Sequence, residues 1–279
     1  MQNLILNINK EENFTSRDVV NKLSKILNDK KIGHTGTLDP LASGVLVCLT
    51  GKYTKLVDLI TSFEKEYIAE IKLGIKTDTL DITGNVLDKK AVCHYEISDI
   101  EKVLNSFIGN YVQKVPLYSA VKINGKKLYE YARCNEEVIL PLREVFIKEI
   151  ELLNYKEDII KFRTVVSKGT YIRSLIEDIC NKLNTIGTMK SLVRTKQGNF
   201  KIENSYKLID IENSNFNSIK LEEVLDLKLV ELDDVLYKKV INGNKLNLDY
   251  NGFILFRKNN MDIALYYFED NLGYLKILF

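Results

Sequence analysis

Residues 33–46 read GHTGTLDPLASGVL. One of the chain's two histidines, one of its three prolines and three of its 14 glycines fall here, and the stretch runs on into the apolar segment VLVCLT. Proline at 40 disfavours helical backbone at Asp39 and pushes it toward an extended conformation. Glycines at 33, 36 and 44 permit sharp turns and close approach of another backbone or a ligand. Asp39 is therefore expected on a loop held firmly at both ends, a usual setting for function. Asp-Pro is also a common turn start, and on these residues alone both readings stand. A carboxylate working without metal or cofactor can act as a nucleophile or stabilise an electron-poor carbon. The anomeric carbon of a sugar is the biological case. Glycosidases use two carboxylates there, but the motif holds no second acid, and a heterocyclic base as leaving group lessens the need for one.

Outward from this motif, residues 4–8 read as a short strand. Thr15 or Ser16 can cap a helix with Val19, Val20, Leu23, Ile26 and Leu27 on one face. In KEYIAEIKLGI, Tyr67, Ala69, Ile71, Leu73 and Ile75 alternate and predict a strand. KTDTLDITGN is turn-like, and 97–108 suits an amphipathic helix. Residues 159–166 suit a strand, after which Lys168-Gly169-Thr170 turns into a helix bearing Ile172, Leu175, Ile176, Ile179 and Leu183. FILF, IALYYF and YLKILF, split by KNN and EDNLG, close the chain as an antiparallel meander. Strands and helices intermix without a strict βα repeat. The expected class is α+β: a body on a mixed, largely antiparallel sheet flanked by helices, with a small all-β C-terminal unit.

Length and composition agree with this division. A chain of 279 residues, 45% hydrophobic, suggests about two domains with real cores. Net charge is only +2, but residues 203–234 carry nine acids against three bases and residues 235–279 six bases against four acids, which leaves residues 1–202 at +6. A basic body beside an acidic connector fits nucleic-acid binding; solvated lysine-rich faces fit equally. Residues 113–143 hold two prolines, Asn124-Gly125, and Lys114, Lys122, Lys126, Lys127, Arg133 and Arg143 among Tyr118, Tyr129 and Tyr131. Cys48, Cys93, Cys134 and Cys180 lie far apart and form no metal-ligand spacing with His34 and His94, so reduced thiols of a cytoplasmic protein are expected, with no metal. The N-terminal residues lack a basic stretch followed by an apolar core, so no secretory signal is expected. No run is long enough to span a bilayer.

GHTGTLDPLASGVL followed by LTGKYTK resembles the catalytic motif of the TruB-type tRNA pseudouridine-55 synthases. The resemblance continues, in the family's order, through KEYIAEIKLGIKTDTLDITG, PLYSAVKINGKKLYEYAR, SKGTYIRSLIEDI and SLVRTKQGNF, and covers most of residues 1–200. It implies a pseudouridine-synthase-like catalytic domain over 1–228, with an RNA-gripping insertion at 113–143, and a small PUA-like β domain over 229–279. It implies Asp39 as nucleophile, Tyr67 stacked near the target base as general base, and Arg173 paired with Asp39. It further implies that His34 helps hold the RNA, that Lys10, matching the lysine of an N-terminal D-K-P-x-G motif, also contacts the RNA, and that Asp81 and Leu192 line the uridine pocket. Lys122, Lys126, Lys127 and Arg133 would grip the RNA. Two departures stand out: NKEEN replaces D-K-P-x-G, and Gln197 stands where the family often has serine.

The implied reaction turns a uridine of the tRNA T-arm loop, at position 55, into pseudouridine. It needs the base out of its stack and no cofactor, since nothing is exchanged with the medium. The short C-terminal meander sets the chain apart from guide-RNA-dependent relatives, so a stand-alone bacterial-type monomer is expected, with no membrane partner. Two rivals remain at this point. One is a non-catalytic tRNA-binding or folding protein on the same scaffold. The other is a carbohydrate glycosidase, which would call for a second acid and an aromatic sugar platform in a chain without tryptophan.

Overall fold

The computed structural model describes residues 2–279. The chain opens with β1 (Ile5–Lys10), α1 (Ser16–Ile26), β2 (Ile32–His34) and β3 (Ser43–Thr50). It continues through α2 (Val57–Thr61), β4 (Lys65–Leu73) and a hairpin of β5 (Ile75–Thr77) and β6 (Val86–Lys89). After α3 (Ile97–Asn105) and β7 (Gly109–Lys114), the insertion forms a small hairpin, β8 (Lys122–Ile123) and β9 (Lys126–Lys127), and α4 (Leu128–Arg133). β10 (Leu142–Lys156), β11 (Ile159–Val166), α5 (Ile172–Lys182), β12 (Gly187–Gln197) and β13 (Phe200–Lys201) complete the body. Beyond α6 (Leu208–Glu212) and α7 (Leu221–Val224) come β14 (Leu227–Glu231), α8 (Asp234–Ile241), β15 (Leu246–Asn247), β16 (Gly252–Lys258), β17 (Met261–Glu269) and β18 (Leu272–Leu278).

The body is built on one sheet in the order β1-β3-β12-β4-β11-β10-β7, with β2 added on β3 and β13 on β12. Among the described residues of this sheet only β3 and β12 run parallel; every other strand pair is antiparallel. The expected α+β class on a mixed, largely antiparallel sheet is therefore correct. The parallel contact is tight at Gly44, where φ is +99° and a Cβ would stand 2.3 Å from the Arg194 carbonyl oxygen. Only glycine allows β12 to lie this close to the end of the Asp39 loop.

Local chemistry explains the elements around this sheet. Thr15 caps α1 in a reciprocal capping box with Asp18. α1 buries Val19 and Leu23, and α5 buries Ile172, Leu175, Ile176 and Ile179, against the same core. Burial alternates strictly along β4 from Lys65 to Leu73. Ile75 does not continue that face: the chain turns at Gly74 (φ +79°) and Ile75 opens the β5–β6 hairpin. The apolar run of β3 is continuous because both its faces are covered. Leu46 and Cys48 join the helix-side core, while Val45, Val47 and Leu49 join a second core with Leu221, Leu255 and Leu265.

That second core is where the C-terminal sheet, ordered β14-β16-β17-β18-β15, meets the body. β16, β17 and β18 form the expected antiparallel meander, and β14 joins its edge in parallel with β16. The acidic stretch 203–234 is packed, with Ile211, Leu221, Val224 and Leu225 buried.

Candidate active site

The Asp39 loop is pinned from several sides. The Ser16 hydroxyl bridges both main-chain groups of Leu38, donating to its carbonyl at 3.1 Å and accepting from its amide at 2.8 Å. The Pro40 carbonyl accepts from the Asn13 amide at 2.8 Å, and the Ala42 amide donates to the Asp39 carbonyl at 3.0 Å. Lys10, expected to contact RNA, belongs to this scaffold instead. It is 1% exposed, and its ammonium donates to the carbonyls of Phe14 (2.6 Å), Glu11 (2.9 Å) and Pro40 (3.3 Å). Burial pushes it down to about 8, and with its donors spent on the backbone it ties the N-terminal segment to the Asp39 loop.

Asp39 and Arg173 meet as a fork. Nε of Arg173 lies 2.9 Å from Oδ2 and Nη2 lies 3.2 Å from Oδ1. Arg173 projects from the first turn of α5, buried, and donates further to the carbonyls of Thr79 and Tyr118, each at 3.0 Å. One guanidinium thus joins the Asp39 loop, the turn before β6 and the insertion. The Asp39 side chain keeps 32% of its surface open while that of Arg173 keeps 6%. Burial in the cleft pushes the Asp39 carboxyl above its ordinary range; Arg173 pulls it back and the charge of Asp81 adds to the rise. If Asp39 acts in its ionised form, as the family resemblance implies, kcat/KM is expected to fall on acidification with a limb above the ordinary aspartate value of ~3.9. A pH–rate profile flat through that range would contradict this environment.

The carboxylate faces a cavity of about 520 Å³, within the size range of small-ligand sites. Tyr67, from β4, lies opposite Arg194 in the β4–β12 pairing, and Leu192 stands two residues before it on the same strand, so all three reach the cavity. Tyr118, Ser119 and Tyr129 come from the insertion and Tyr171 from the start of α5. A larger crevice of about 770 Å³ lies beside β13, lined by amides and hydroxyls such as Asn7, Asn199 and Ser218. It holds no carboxylate–guanidinium pair among the described residues.

Other expected residues lie elsewhere. Asp81 does not line the cavity. It is buried in its own turn, where one carboxylate oxygen accepts from the Thr79 hydroxyl (3.0 Å) and from the amide (3.0 Å) and hydroxyl (2.5 Å) of Thr83. It shapes the turn that offers the Thr79 carbonyl to Arg173. His34 is half-buried outside the cavity lining, and its Nδ1 accepts from the Gly36 amide at 3.4 Å. Burial and the nearby Arg17 and Arg194 hold it below the usual histidine range, so it is neutral at pH 7. In the insertion, Lys126 is paired with Glu136 at 2.6 Å and lies over the Tyr131 ring. Lys127 and Arg133 both stand over Tyr129, and Lys122 is exposed.

Sequence reasoning passed over Lys65, Ser119, Tyr171 and Arg194 as lining residues. Two of them were within reach of a simple rule. Lys65 is two residues before Tyr67 and Arg194 two after Leu192, and positions two apart on a strand share a face.

Among the described residues no group of His, Cys, Asp or Glu is placed to hold a metal ion, and no helix is long and apolar enough to cross a membrane. The pattern that defines the TruB family pseudouridylate synthase, N-terminal domain, matches residues 24–172. The tRNA pseudouridine synthase B of Caldanaerobacter subterraneus subsp. tengcongensis is 42% identical over 248 residues, covering 88% of this chain and 87% of that protein. That of Mesoplasma florum is 41% identical over 274 residues, covering 96% and 94%. A crystal structure of a Cbf5-Nop10-Gar1 complex superposes with a TM-score of 0.71 at 26% identity, over 95% of this chain and 78% of that one. Sequence kinship along nearly the full length of such relatives, on a shared fold, settles the ancestry: the chain belongs to the TruB family of pseudouridylate synthases.

Proposed function

We propose that this protein converts a uridine in the T-arm loop of tRNA to pseudouridine, with Asp39 as the nucleophile. One observation carries the reading: a carboxylate fixed in a guanidinium fork opens onto a cavity large enough for an everted nucleotide and walled by tyrosines. The N1–C1′ bond of uridine breaks, the uracil turns, and C5 bonds to C1′; a proton leaves C5 and one is gained at N1. Asp39 answers the positive charge that develops at C1′ as the base departs. Arg173 keeps the carboxylate oriented and ionised. The Tyr67 ring offers a flat face to the base, its hydroxyl serves the C5 proton, and Leu192 packs beside it. Enclosure keeps the detached uracil from being lost to water.

The body, 1–228, does this chemistry, its insertion 113–143 grips the T-arm, and the PUA-like unit, 229–279, adds a smaller share of the contact. The protein acts as a monomer in the cytoplasm, without guide RNA. Lysines suit phosphates and exposed tyrosines suit splayed bases. Removing the charges of Lys126 and Lys127 together is expected to weaken tRNA binding and to flatten its dependence on log salt by roughly 0.7 per lost contact. Lys127 is expected to account for most of the effect, because Lys126 already has Glu136 as partner. An unchanged slope would remove the insertion from this role. The reading as a whole is tested by incubating the pure protein with unmodified tRNA and mapping pseudouridine. One modified T-loop uridine is expected; no modified uridine, or release of free uracil, would overturn it.

A further inference from the structure

Two buried cations in the cavity have no carboxylate to answer them. Arg194 is 1% exposed and Lys65 is 6% exposed, and both line the cavity. Neither reaches an acid within salt-bridge distance among the described residues, and Asp39, the one carboxylate on the cavity wall, is taken by Arg173. A buried guanidinium without a counter-charge is costly. Arg194 spends Nε on the Val45 carbonyl (2.6 Å) and Nη2 on the Gly36 carbonyl (3.0 Å), while its Nη1 makes no hydrogen bond to protein among the described residues. Lys65 donates to the carbonyls of Thr61 and Phe63, both at 2.7 Å, which leaves its third N–H. The two side chains converge on Gly36: a Cβ there would lie 3.5 Å from Nη1 of Arg194 and 3.7 Å from Cε of Lys65. Burial, with the positive charges of Arg194 and Lys168, pushes the Lys65 ammonium down to about 8.

We propose that Arg194 and Lys65 form a second subsite of this cavity, which binds a phosphodiester of the RNA strand flanking the everted nucleotide. The proposal rests on the cavity taking an RNA nucleotide, as argued above. RNA brings one anionic phosphate with each nucleotide, and swinging a base into a pocket draws its flanking backbone toward the mouth. A fork edge plus an ammonium suits a phosphate's oxygens. The subsite would fix the ribose from the backbone side while Asp39 addresses C1′, so the cost of eversion is offset at a point that carries no base information.

The test uses a short T-arm stem-loop in which single phosphates are replaced by neutral methylphosphonates, with binding read in an Asp39→Asn background so that turnover does not intervene. Neutralising one linkage next to the target uridine is expected to weaken binding about tenfold, the worth of one charge-assisted contact, and a linkage elsewhere in the loop much less. Lys65→Met and Arg194→Lys are expected to lose about as much on ordinary RNA and nothing further on the neutral-linkage RNA. If neither flanking linkage matters, the subsite is absent, a result that needs no variant at Lys65 or Arg194. If the variants lose as much on the neutral RNA as on the ordinary one, these residues only brace the loop, and the proposal is overturned. A protein carrying Asp39 that forms no pseudouridine in ordinary RNA would instead defeat the isomerase reading itself.

Discussion

Replacing Asp39 by asparagine is expected to lower pseudouridine formation by at least ~10⁴-fold, the order lost when an enzyme is stripped of its nucleophile, while tRNA continues to bind. Asparagine keeps the shape of the side chain and an oxygen for Arg173, so the cavity and its RNA contacts stay in place. What disappears is the negative charge that meets the developing cation at C1′. Mapping of pseudouridine beside a binding titration separates the two effects. Turnover that survives the substitution would take Asp39 out of the chemistry and revive a tRNA-binding role for the scaffold. Loss of binding and turnover together would make Asp39 a structural anchor of its loop.

The second large effect belongs to Arg173. Its donors reach both oxygens of Asp39 and two carbonyls from separate parts of the chain. Lysine keeps the charge but cannot reproduce a planar fork. Arg173→Lys is expected to cost roughly 10²–10³-fold in kcat with a smaller change in KM, since misplacement of a reacting group is paid mainly in the chemical step. Its acid limb is expected to move upward, because the weaker partner pulls less against burial. Arg173→Met is expected to destabilise the fold by about 3 kcal/mol, since it leaves a half-enclosed carboxylate without its partner. The same change made in an Asp39→Asn background is expected to cost less. Equal costs in both backgrounds, measured by urea denaturation, would show that the pair does not hold the two segments together.

Local rules reached the strands and helices that carry strong periodicity. β4 showed its alternation, α1 its cap and stripe, and α5 its turn-and-stripe pattern. The site was less accessible, because its geometry comes from contacts between distant residues. No local pattern places Arg173 against a carboxylate 134 residues away; that pairing came from the family resemblance. The positions of Lys10 and Asp81 were misread for a related reason. Charged residues inside motifs look like ligand contacts, yet here the surrounding carbonyls and hydroxyls use them to shape the loops around Asp39 and Arg173. Arg194 shares a strand face with Leu192, two residues before it, but its hold on the Val45 and Gly36 carbonyls comes from the pairing of distant strands, which no local pattern announces.

β3 leaves the Asp39 loop and is covered on both faces, one by the helices and the other by a core that Leu56, Ile60, Phe200 and Leu221 of the body share with Leu255 and Leu265 of the C-terminal sheet. A chain trimmed before Leu227 would therefore not be a smaller enzyme with a weaker hold on its substrate. It would lose Leu255 and Leu265 from the core around Val45, Val47 and Leu49 and open one side of it to water, directly behind the Asp39 loop. Anyone shortening this tail, or exchanging it for that of a relative, has to rebuild the back wall of the catalytic strand first.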